Sequence, residues 1–263
     1  MYGAILGDII GSPYEFDGEI REKDFPLFSE DSTFTDDTVM TLAVAEALMA
    51  GENPDDDTVR GSLTEAMRDW GNQYPYAGYG GKFCQWLADP DMGPYGSWGN
   101  GSAMRVSPAA WLYKDIETVR RMAGLSAEVT HDHPEGIKGA EATASAIFLA
   151  RTGKTKAEIR KYIEDEFGYD LSRTCDEIRW GDRSGVSCME TVPEAITAFL
   201  EGDDFEDVVR TAVSLGGDTD TLGAIAGSIA EGFYGIPEDW KEECHLRLPK
   251  DLDTILRKFD ERI

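Results

Sequence analysis

The sequence predicts an all-α fold. Apolar residues recur at spacings of three and four along most of the chain, and sustained alternation with a period of two is rare. Three predicted helix starts carry a capping-box or proline signal: Thr155 with Glu158, Thr191 with Glu194, and Ser107 with Pro108. Periodicity and start signals together therefore favour helices over strands.

Further helices are expected at about 2–12, 57–73, 80–88, 116–128, 134–152, 204–215, 238–245 and 250–260. So many helices exceed a four-helix bundle, and neither a Pro/Ser-rich linker nor a block of charge divides the 263 residues. We therefore expect one compact domain over residues 1–263, built as a multi-helix orthogonal bundle.

Composition narrows the class of protein. Hydrophobic residues make up 41% of the chain, which is enough for a sizeable core. The 51 acidic and 25 basic residues give a net charge of −26, which argues against non-specific binding to DNA or RNA. No apolar run approaches the roughly 20 residues of a membrane span. Without a signal-peptide pattern or a Cys-x-x-Cys pair, we expect a cytoplasmic protein whose thiols are free, at Cys84, Cys175, Cys188 and Cys244.

Two short acidic motifs are the most informative feature of the chain. Thr35-Asp36-Asp37-Thr38 and Asp218-Thr219-Asp220-Thr221 each set two carboxylates and a hydroxyl directly before an apolar helix. Either motif alone is explained as a helix N-cap. Because no Lys or Arg lies beside either one, the pair indicates two halves of a site for hard divalent cations. Oxygen ligands without His or Cys favour Mg²⁺ or Mn²⁺ over Zn²⁺.

The helices that follow these motifs are also expected to form the central pair of the fold. Small residues at 140–146 would allow other helices to pack closely around them. Arg105 is a candidate counter-charge from elsewhere in the chain, but one cation cannot balance four carboxylates.

Two long irregular stretches are expected at 12–34 and 74–101, and long loops in compact domains are often functional. The second stretch interleaves glycines with aromatic residues, including Tyr95 and Trp98. Such a segment suits an adenine or ribose ring, or it is a surface loop pinned by aromatic anchors.

Five blocks of sequence resemble those of the ADP-ribosylglycohydrolases. They are Gly7-Asp8 with Gly11 and Glu15, Thr35-Asp36-Asp37-Thr38, the segment 99–105, Thr130-His131, and the segment 216–221. They occur in the family's order and span nearly the whole chain. The resemblance implies an all-α domain of the ADP-ribosylglycohydrolase type that holds two Mg²⁺ or Mn²⁺ ions.

Residue by residue, the resemblance implies a metal site and a substrate site. The metal ligands would be Thr35, Asp36, Asp37, Asp218, Asp220 and Thr221. Catalysis would rest on Glu15, a candidate general acid or base on a mobile loop, together with Asp36 and Asp218. Substrate would be bound by Ser97, Trp98, Gly99, Asn100, His131, Gly216 and Gly217. Glycines at 216 and 217 would let backbone N–H groups approach a phosphate, or would simply form a tight turn. Asp8 is expected to be structural.

The implied reaction is hydrolysis of the glycosidic bond between ADP-ribose and an acceptor, which is a protein side chain such as arginine or serine, or a small molecule. We expect the protein to act as a monomer on an ADP-ribose-modified protein or a small ADP-ribosyl conjugate. Two alternatives stay open: a metal-dependent phosphohydrolase acting on a nucleotide, and a non-catalytic ADP-ribose-binding module.

Overall fold

The computed structural model describes residues 1–17, 22–51, 55–181 and 184–263. Its helices are α1 (Tyr2–Gly11), α2 (Asp36–Met49), α3 (Asp56–Gln73), α4 (Gly81–Ala88), α5 (Gly101–Met104), α6 (Ser107–Leu112), α7 (Ile116–Glu128), α8 (Pro134–Arg151), α9 (Lys156–Phe167), α10 (Cys175–Arg179), α11 (Cys188–Glu201), α12 (Phe205–Ser214), α13 (Thr219–Tyr234), α14 (Glu238–Arg247) and α15 (Lys250–Asp260). A short 3₁₀ turn, Ser12–Tyr14, extends α1. Within these ranges no β-strand is present, which confirms the all-α prediction.

Most predicted helices lie where the periodicity places them, but one start is wrong. Thr155 and Glu158 form the expected capping box at the beginning of α9. Thr191, in contrast, lies inside α11, which begins at Cys188 with Ser187 as an N-cap that makes no side-chain bond. The hydroxyl of Thr191 accepts a hydrogen bond from Asn100 instead. The short helix α10 was not predicted from the sequence, although Thr174 and Glu177 form a capping box there.

Helix α13 lies at the centre of the fold and packs against α1, α8, α11 and α12. Its contact with α1 is the most extensive, because glycines face each other along the crossing. A Cβ on Gly7 would overlap the backbone carbonyl of Gly223, and a Cβ on Gly3 would overlap that of Gly227. Only residues without side chains allow two helix backbones to approach this closely.

The central pair is therefore α1 and α13, and the expectation that α2 would be α13's main partner is wrong. Helix α2 packs mainly against α3, α6 and α15 and meets α13 only at a few residues. Its apolar side chains, such as Val39 and Leu42, are buried against those neighbours. The glycines of α1, in contrast, let its backbone approach that of α13 directly.

The glycine crossing yields a stability prediction. Gly7→Ala is expected to lower the free energy of unfolding by about 3 kcal/mol or more. The added Cβ would overlap backbone atoms of Gly223 and Ala224, which cannot move aside as a flexible side chain can. The matched control is Gly61→Ala on the exposed side of α3, where an added Cβ has nothing within 4 Å. Chemical denaturation should show the control slightly stabilised, by about 0.5–1 kcal/mol. Equal stability of the two variants would contradict the close crossing.

Two further expectations concern the bilayer and the thiols. None of the described helices has the length and apolar character that a bilayer crossing requires. All four cysteines are free, as expected; Cys84 is exposed, and Cys175, Cys188 and Cys244 are buried.

Candidate active site

The two acidic motifs meet in space at the N-terminal ends of α2 and α13. Thr221 donates its hydroxyl to Asp37 Oδ2 over 3.2 Å, and this bond joins residues 184 positions apart in the chain. Asp37, Asp218 and Asp220 are all buried. The convergence that the sequence could only suggest is therefore present in the fold.

Capping does not explain the aspartates of these motifs. The N-cap of α2 is Thr35, whose side chain accepts from the Asp37 backbone N–H. Asp218 occupies the N-cap position of α13, but its side chain makes no capping hydrogen bond. Its Oδ2 instead accepts from the Asn100 amide over 2.6 Å. Asp220 Oδ1 does accept from the Thr221 backbone N–H over 2.8 Å, whereas the Asp218 carboxylate is available to something other than the helix end.

Asp8, near the end of α1, holds the start of α2 in place. It is fully buried and accepts hydrogen bonds from the backbone N–H groups of Thr35, over 2.9 Å, and Thr38, over 3.0 Å. It also accepts from both threonine hydroxyls. The α1–α13 crossing and this anchor together fix the relative position of the two motifs, in agreement with the structural role expected of Asp8.

Glu15 lies where α1 and its 3₁₀ extension give way to a loop. One carboxylate oxygen from each of Glu15, Asp218 and Asp220 lies within 4.8 Å of the other two. The next residue, Phe16, has a φ of +48°, and its N–H donates to the Gly217 carbonyl over 2.8 Å. An αL conformation is uncommon for a residue with a bulky side chain. The turn before α13 therefore helps to hold Glu15 beside the aspartates.

The carboxylates are too close to be ionised together without cost. Burial, and then the charges of Asp8 and Asp218, raise the pKa of Asp36 to about 8. Burial, followed by neighbouring aspartates, raises the pKa of Asp37 and of Asp220 well above the ordinary value. Burial and the charges of Asp218 and Asp8 also raise the pKa of Glu15. The site is an uncompensated concentration of negative charge.

The donor set fits hard divalent cations. Every side-chain atom of the cluster that could coordinate a metal is an oxygen. Among the described residues, Asp37 Oδ1 is buried without a hydrogen-bond partner. A buried carboxylate oxygen without a partner is costly unless a cation or water meets it. Mg²⁺ and Mn²⁺ prefer such ligands.

This charge predicts an unusual pH dependence for the metal-free protein. Burial raises the folded-state pKa of Asp8 to about 6, and Asp36 reaches about 8, from an ordinary 3.8. A raised pKa means that the folded chain binds protons more tightly, so stability falls as pH rises through the folded values. We expect the metal-free Tm to fall by about 5 °C between roughly pH 5.5 and 8.5.

Thermal unfolding in chelator, with and without added Mg²⁺, measures this slope. Mg²⁺ should flatten it, and Asp36→Asn should reduce it without metal. Asp69→Asn, on the exposed face of α3, is the control and should keep the wild-type slope. A Tm that is flat or rises over this range in chelator would contradict the electrostatic description.

A cavity of about 390 Å³ opens beside the cluster, within the range of small-molecule sites. Five carboxylates line it: Glu15, Asp36, Asp37, Asp218 and Asp220. The rest of the lining includes Ser97, Gly99, Asn100, His131, Phe83, Tyr95 and Val186. Among the described residues that line it, the cationic side chains are Lys82, which is exposed, and Arg105, which is buried. An anionic ligand would therefore meet few positive charges.

The loop 97–100 is tied to both the cluster and the start of α11. The Asn100 amide donates to Asp218 Oδ2 over 2.6 Å and to Thr191 Oγ1 over 3.0 Å. Its backbone N–H donates to the Val186 carbonyl, and the Cys188 N–H donates to the Trp98 carbonyl, both over 2.9 Å. The loop 97–100 and the acidic motif at the start of α13 are thus a single hydrogen-bonded unit.

Four of the predicted site residues do not line the cavity. Trp98 is 52% exposed and packs edge-on against His133. Gly216 and Gly217 have φ of +76° and +78° and form the turn before α13. Thr35 is directed to Asp8 through its hydroxyl. Lining the cavity does not establish a role, so the ligand, catalytic and substrate roles of all the predicted site residues stay predictions.

Several residues that line the cavity could not be recognised as site residues from the sequence. Phe16, Lys82 and Val186 line it, and each lies in an irregular segment or at a helix start without a recognisable motif. Tyr95 was noted only as one of many aromatic residues. Arg105, which the sequence suggests only as a candidate counter-charge, is fully buried at the cavity wall.

The fold and the acidic cavity together define an ADP-ribosyl hydrolase type of protein. A family model described as ADP-ribosylglycohydrolase matches residues 1–263, and the chain belongs to this family. ADP-ribosylhydrolase ARH3 of Homo sapiens is 30% identical over 93% of this chain and 87% of its own. ADP-ribosylarginine hydrolase Tri1 of Pseudomonas putida is 26% identical, over 92% of this chain and 72% of its own.

A solved structure shares the fold. The ADP-ribosylglycohydrolase-related protein complex aligns with a TM-score of 0.74 and 26% sequence identity, covering 99% of this chain and 95% of the other. The family resemblance inferred from the five sequence blocks is therefore confirmed, and with it the general class of ADP-ribose glycosidic hydrolysis.

Proposed function

We propose that this protein is a divalent-metal-dependent hydrolase that cleaves the bond between C1 of the distal ribose of ADP-ribose and an acceptor. The acceptor is a protein side chain such as arginine or serine. The observation that carries the proposal is the set of five carboxylates that line one cavity together with amide, imidazole and aromatic groups. Arginine is included because one relative is named an ADP-ribosylarginine hydrolase.

The residues proposed to hold two Mg²⁺ or Mn²⁺ ions are Thr35, Asp36, Asp37, Asp218, Asp220 and Thr221. When bound, these ions would supply positive charge that orients the ribose hydroxyls and lowers the pKa of water. Thr35 Oγ1 uses one lone pair to accept from Asp37 N–H, which leaves a second lone pair for a cation.

The chain's own groups supply the remaining chemistry. Positive charge develops at the ribose C1 as the glycosidic bond breaks, and the nearby carboxylates stabilise it electrostatically. Glu15 is the proposed general acid or base, because its carboxyl lines the cavity beside Asp218 and Asp220, and burial together with the charges of Asp218 and Asp8 raises its pKa towards the proton-bound form. Asn100 orients Asp218 through its 2.6 Å hydrogen bond.

Binding of the nucleotide is proposed to involve Ser97, Trp98, Gly99, Asn100, His131, Gly216 and Gly217. Because the cavity has few cations, we infer that backbone amides and neutral donors hold the pyrophosphate. A monomeric state and a cytoplasmic location are proposed on sequence grounds alone.

The test is to incubate the protein with arginine-linked and serine-linked ADP-ribosyl peptides in Mg²⁺, in Mn²⁺ or in excess chelator. We expect ADP-ribose as the nucleotide product with metal, and no product with chelator. Release of AMP or inorganic phosphate would favour a nucleotide phosphohydrolase. Binding of ADP-ribose without turnover of either peptide would favour a non-catalytic binding module.

A further inference from the structure

Arg105 is a buried cation with an unusual set of partners. It is 1% exposed, and among the described residues it forms no ion pair. Its Nη2 donates to the Ser126 carbonyl and to Thr130 Oγ1, each over 2.8 Å. Burial lowers the pKa of Arg105 to about 10, which leaves the guanidinium charged at neutral pH. The guanidinium therefore bonds a carbonyl and a hydroxyl instead of a carboxylate.

The Thr130 hydroxyl connects Arg105 to His131 through two hydrogen bonds. Because a guanidinium can only donate, Thr130 Oγ1 is the acceptor in its bond with Arg105. The same oxygen lies 2.7 Å from His131 Nδ1. Thr130 is fully buried, and Nδ1 is the one acceptor for its hydroxyl hydrogen among the described residues. If Nδ1 carried the proton, that hydroxyl hydrogen would be left unsatisfied.

A doubly protonated ring is also disfavoured. Burial, and then the positive charge of Arg105, hold the pKa of His131 well below its usual value. The neutral ring must therefore carry its single proton on Nε2.

The Nε2 atom faces the cavity beside the substrate loop. A Cβ added to Gly101 would lie 3.1 Å from it, and one added to Gly99 would lie 3.6 Å from it. Nε2 has no hydrogen-bond partner within the described part of the chain, and His131 lines the cavity. The side chain thus offers one N–H donor to a ligand oxygen next to Gly99 and Gly101.

We propose that Arg105 and Thr130 are positioning residues that hold His131 as the Nε2–H tautomer, so that it donates a hydrogen bond to an acceptor oxygen of the nucleotide. The tautomer follows from the protein alone, whereas the identity of the ligand rests on the proposed function. The buried cation thereby acts on an anionic ligand through a neutral donor.

The first measurement is the ¹⁵N spectrum of the ligand-free protein, in which protonated and unprotonated ring nitrogens resonate far apart. The chain has three histidines, so His131→Asn assigns the resonances. We expect a protonated Nε2 and an unprotonated Nδ1 in the wild type. A wild-type ring with its proton on Nδ1, or with both nitrogens protonated at neutral pH, would overturn the proposal.

The second measurement compares variants of Thr130. Thr130→Val removes the hydroxyl at similar volume, and should populate the Nδ1–H tautomer and weaken ADP-ribose binding in Mg²⁺ by about tenfold. Thr130→Ser restores the hydroxyl and should restore both properties. Thr143→Val is the matched control, because the buried Thr143 hydroxyl has no partner in the described residues. It should change neither.

The outcomes separate the two proposals. Wild-type tautomer and affinity in Thr130→Val would overturn the positioning role. If the tautomer changes as expected but the wild type binds no ADP-ribose, the tautomer assignment stands and the proposed function fails. Should Thr130→Val not fold, the wild-type spectrum and Thr130→Ser still decide the tautomer.

Discussion

Asp218→Ala is expected to weaken Mn²⁺ binding by at least about 100-fold and to remove hydrolase activity, while the helical fold persists. Asp218 is 8% exposed and has oxygens close to both Glu15 and Asp220. Its substitution therefore removes one of the proposed metal ligands. Because its side chain makes no capping bond, α13 should still begin where it does.

Isothermal titration with Mn²⁺, circular dichroism and the peptide assay measure these effects. In chelator, the variant should unfold close to the wild-type Tm, because the loss of one repelling carboxylate offsets the loss of its hydrogen bond from Asn100. Asp204→Ala is the control: this residue caps α12 through Asp207 N–H, so its loss should cost about 1 kcal/mol and leave metal affinity unchanged. Full activity of Asp218→Ala, or of the wild type in excess chelator, would contradict the proposed metal site.

Glu15→Ala is expected to bind ADP-ribose normally but to lower kcat by about 10²–10⁴-fold. Glu15 is exposed, so its removal should not disturb the core. Its loss should affect proton transfer, because burial and then the charges of Asp218 and Asp8 raise the pKa of this carboxyl, which lies beside the proposed ribose site.

Steady-state kinetics and ADP-ribose titration separate turnover from binding. The control is Glu30→Ala, which changes an exposed glutamate in the same irregular stretch but away from the cavity lining. Unchanged kcat in Glu15→Ala would remove Glu15 from the mechanism. A loss of ADP-ribose affinity equal to the loss in kcat/KM would instead assign it a binding role.

The sequence predicted the fold class and most helix positions because apolar periodicity is local. It failed where a helix start depends on a distant partner: Thr191 has the spacing of a cap, yet its hydroxyl bonds Asn100 across the site. The prediction of the central helix pair was also wrong. It relied on the apolar character of α2 and did not use the spacing of Gly3, Gly7 and Gly11. That spacing of four, matched by Gly223 and Gly227, was a usable signal for the α1–α13 crossing.

Charge balance alone indicated a hard-metal site, and the structure brings its two halves together. Residues alone could not assign Glu15, since a loop glutamate carries no motif; the family resemblance supplied it. The hydrogen-bonded connection from Arg105 through Thr130 to His131 could not be predicted from the sequence either. It depends on how α5 and α7 pack, and no local pattern reports that arrangement.

The most direct test of the metal site is anomalous diffraction from crystals grown with Mn²⁺ and ADP-ribose. We expect two manganese peaks bounded by Asp36, Asp37, Asp218 and Asp220, with the distal ribose against them and the rest of the nucleotide in the cavity. Absence of anomalous density at these carboxylates, at Mn²⁺ concentrations that support turnover, would contradict the assignment.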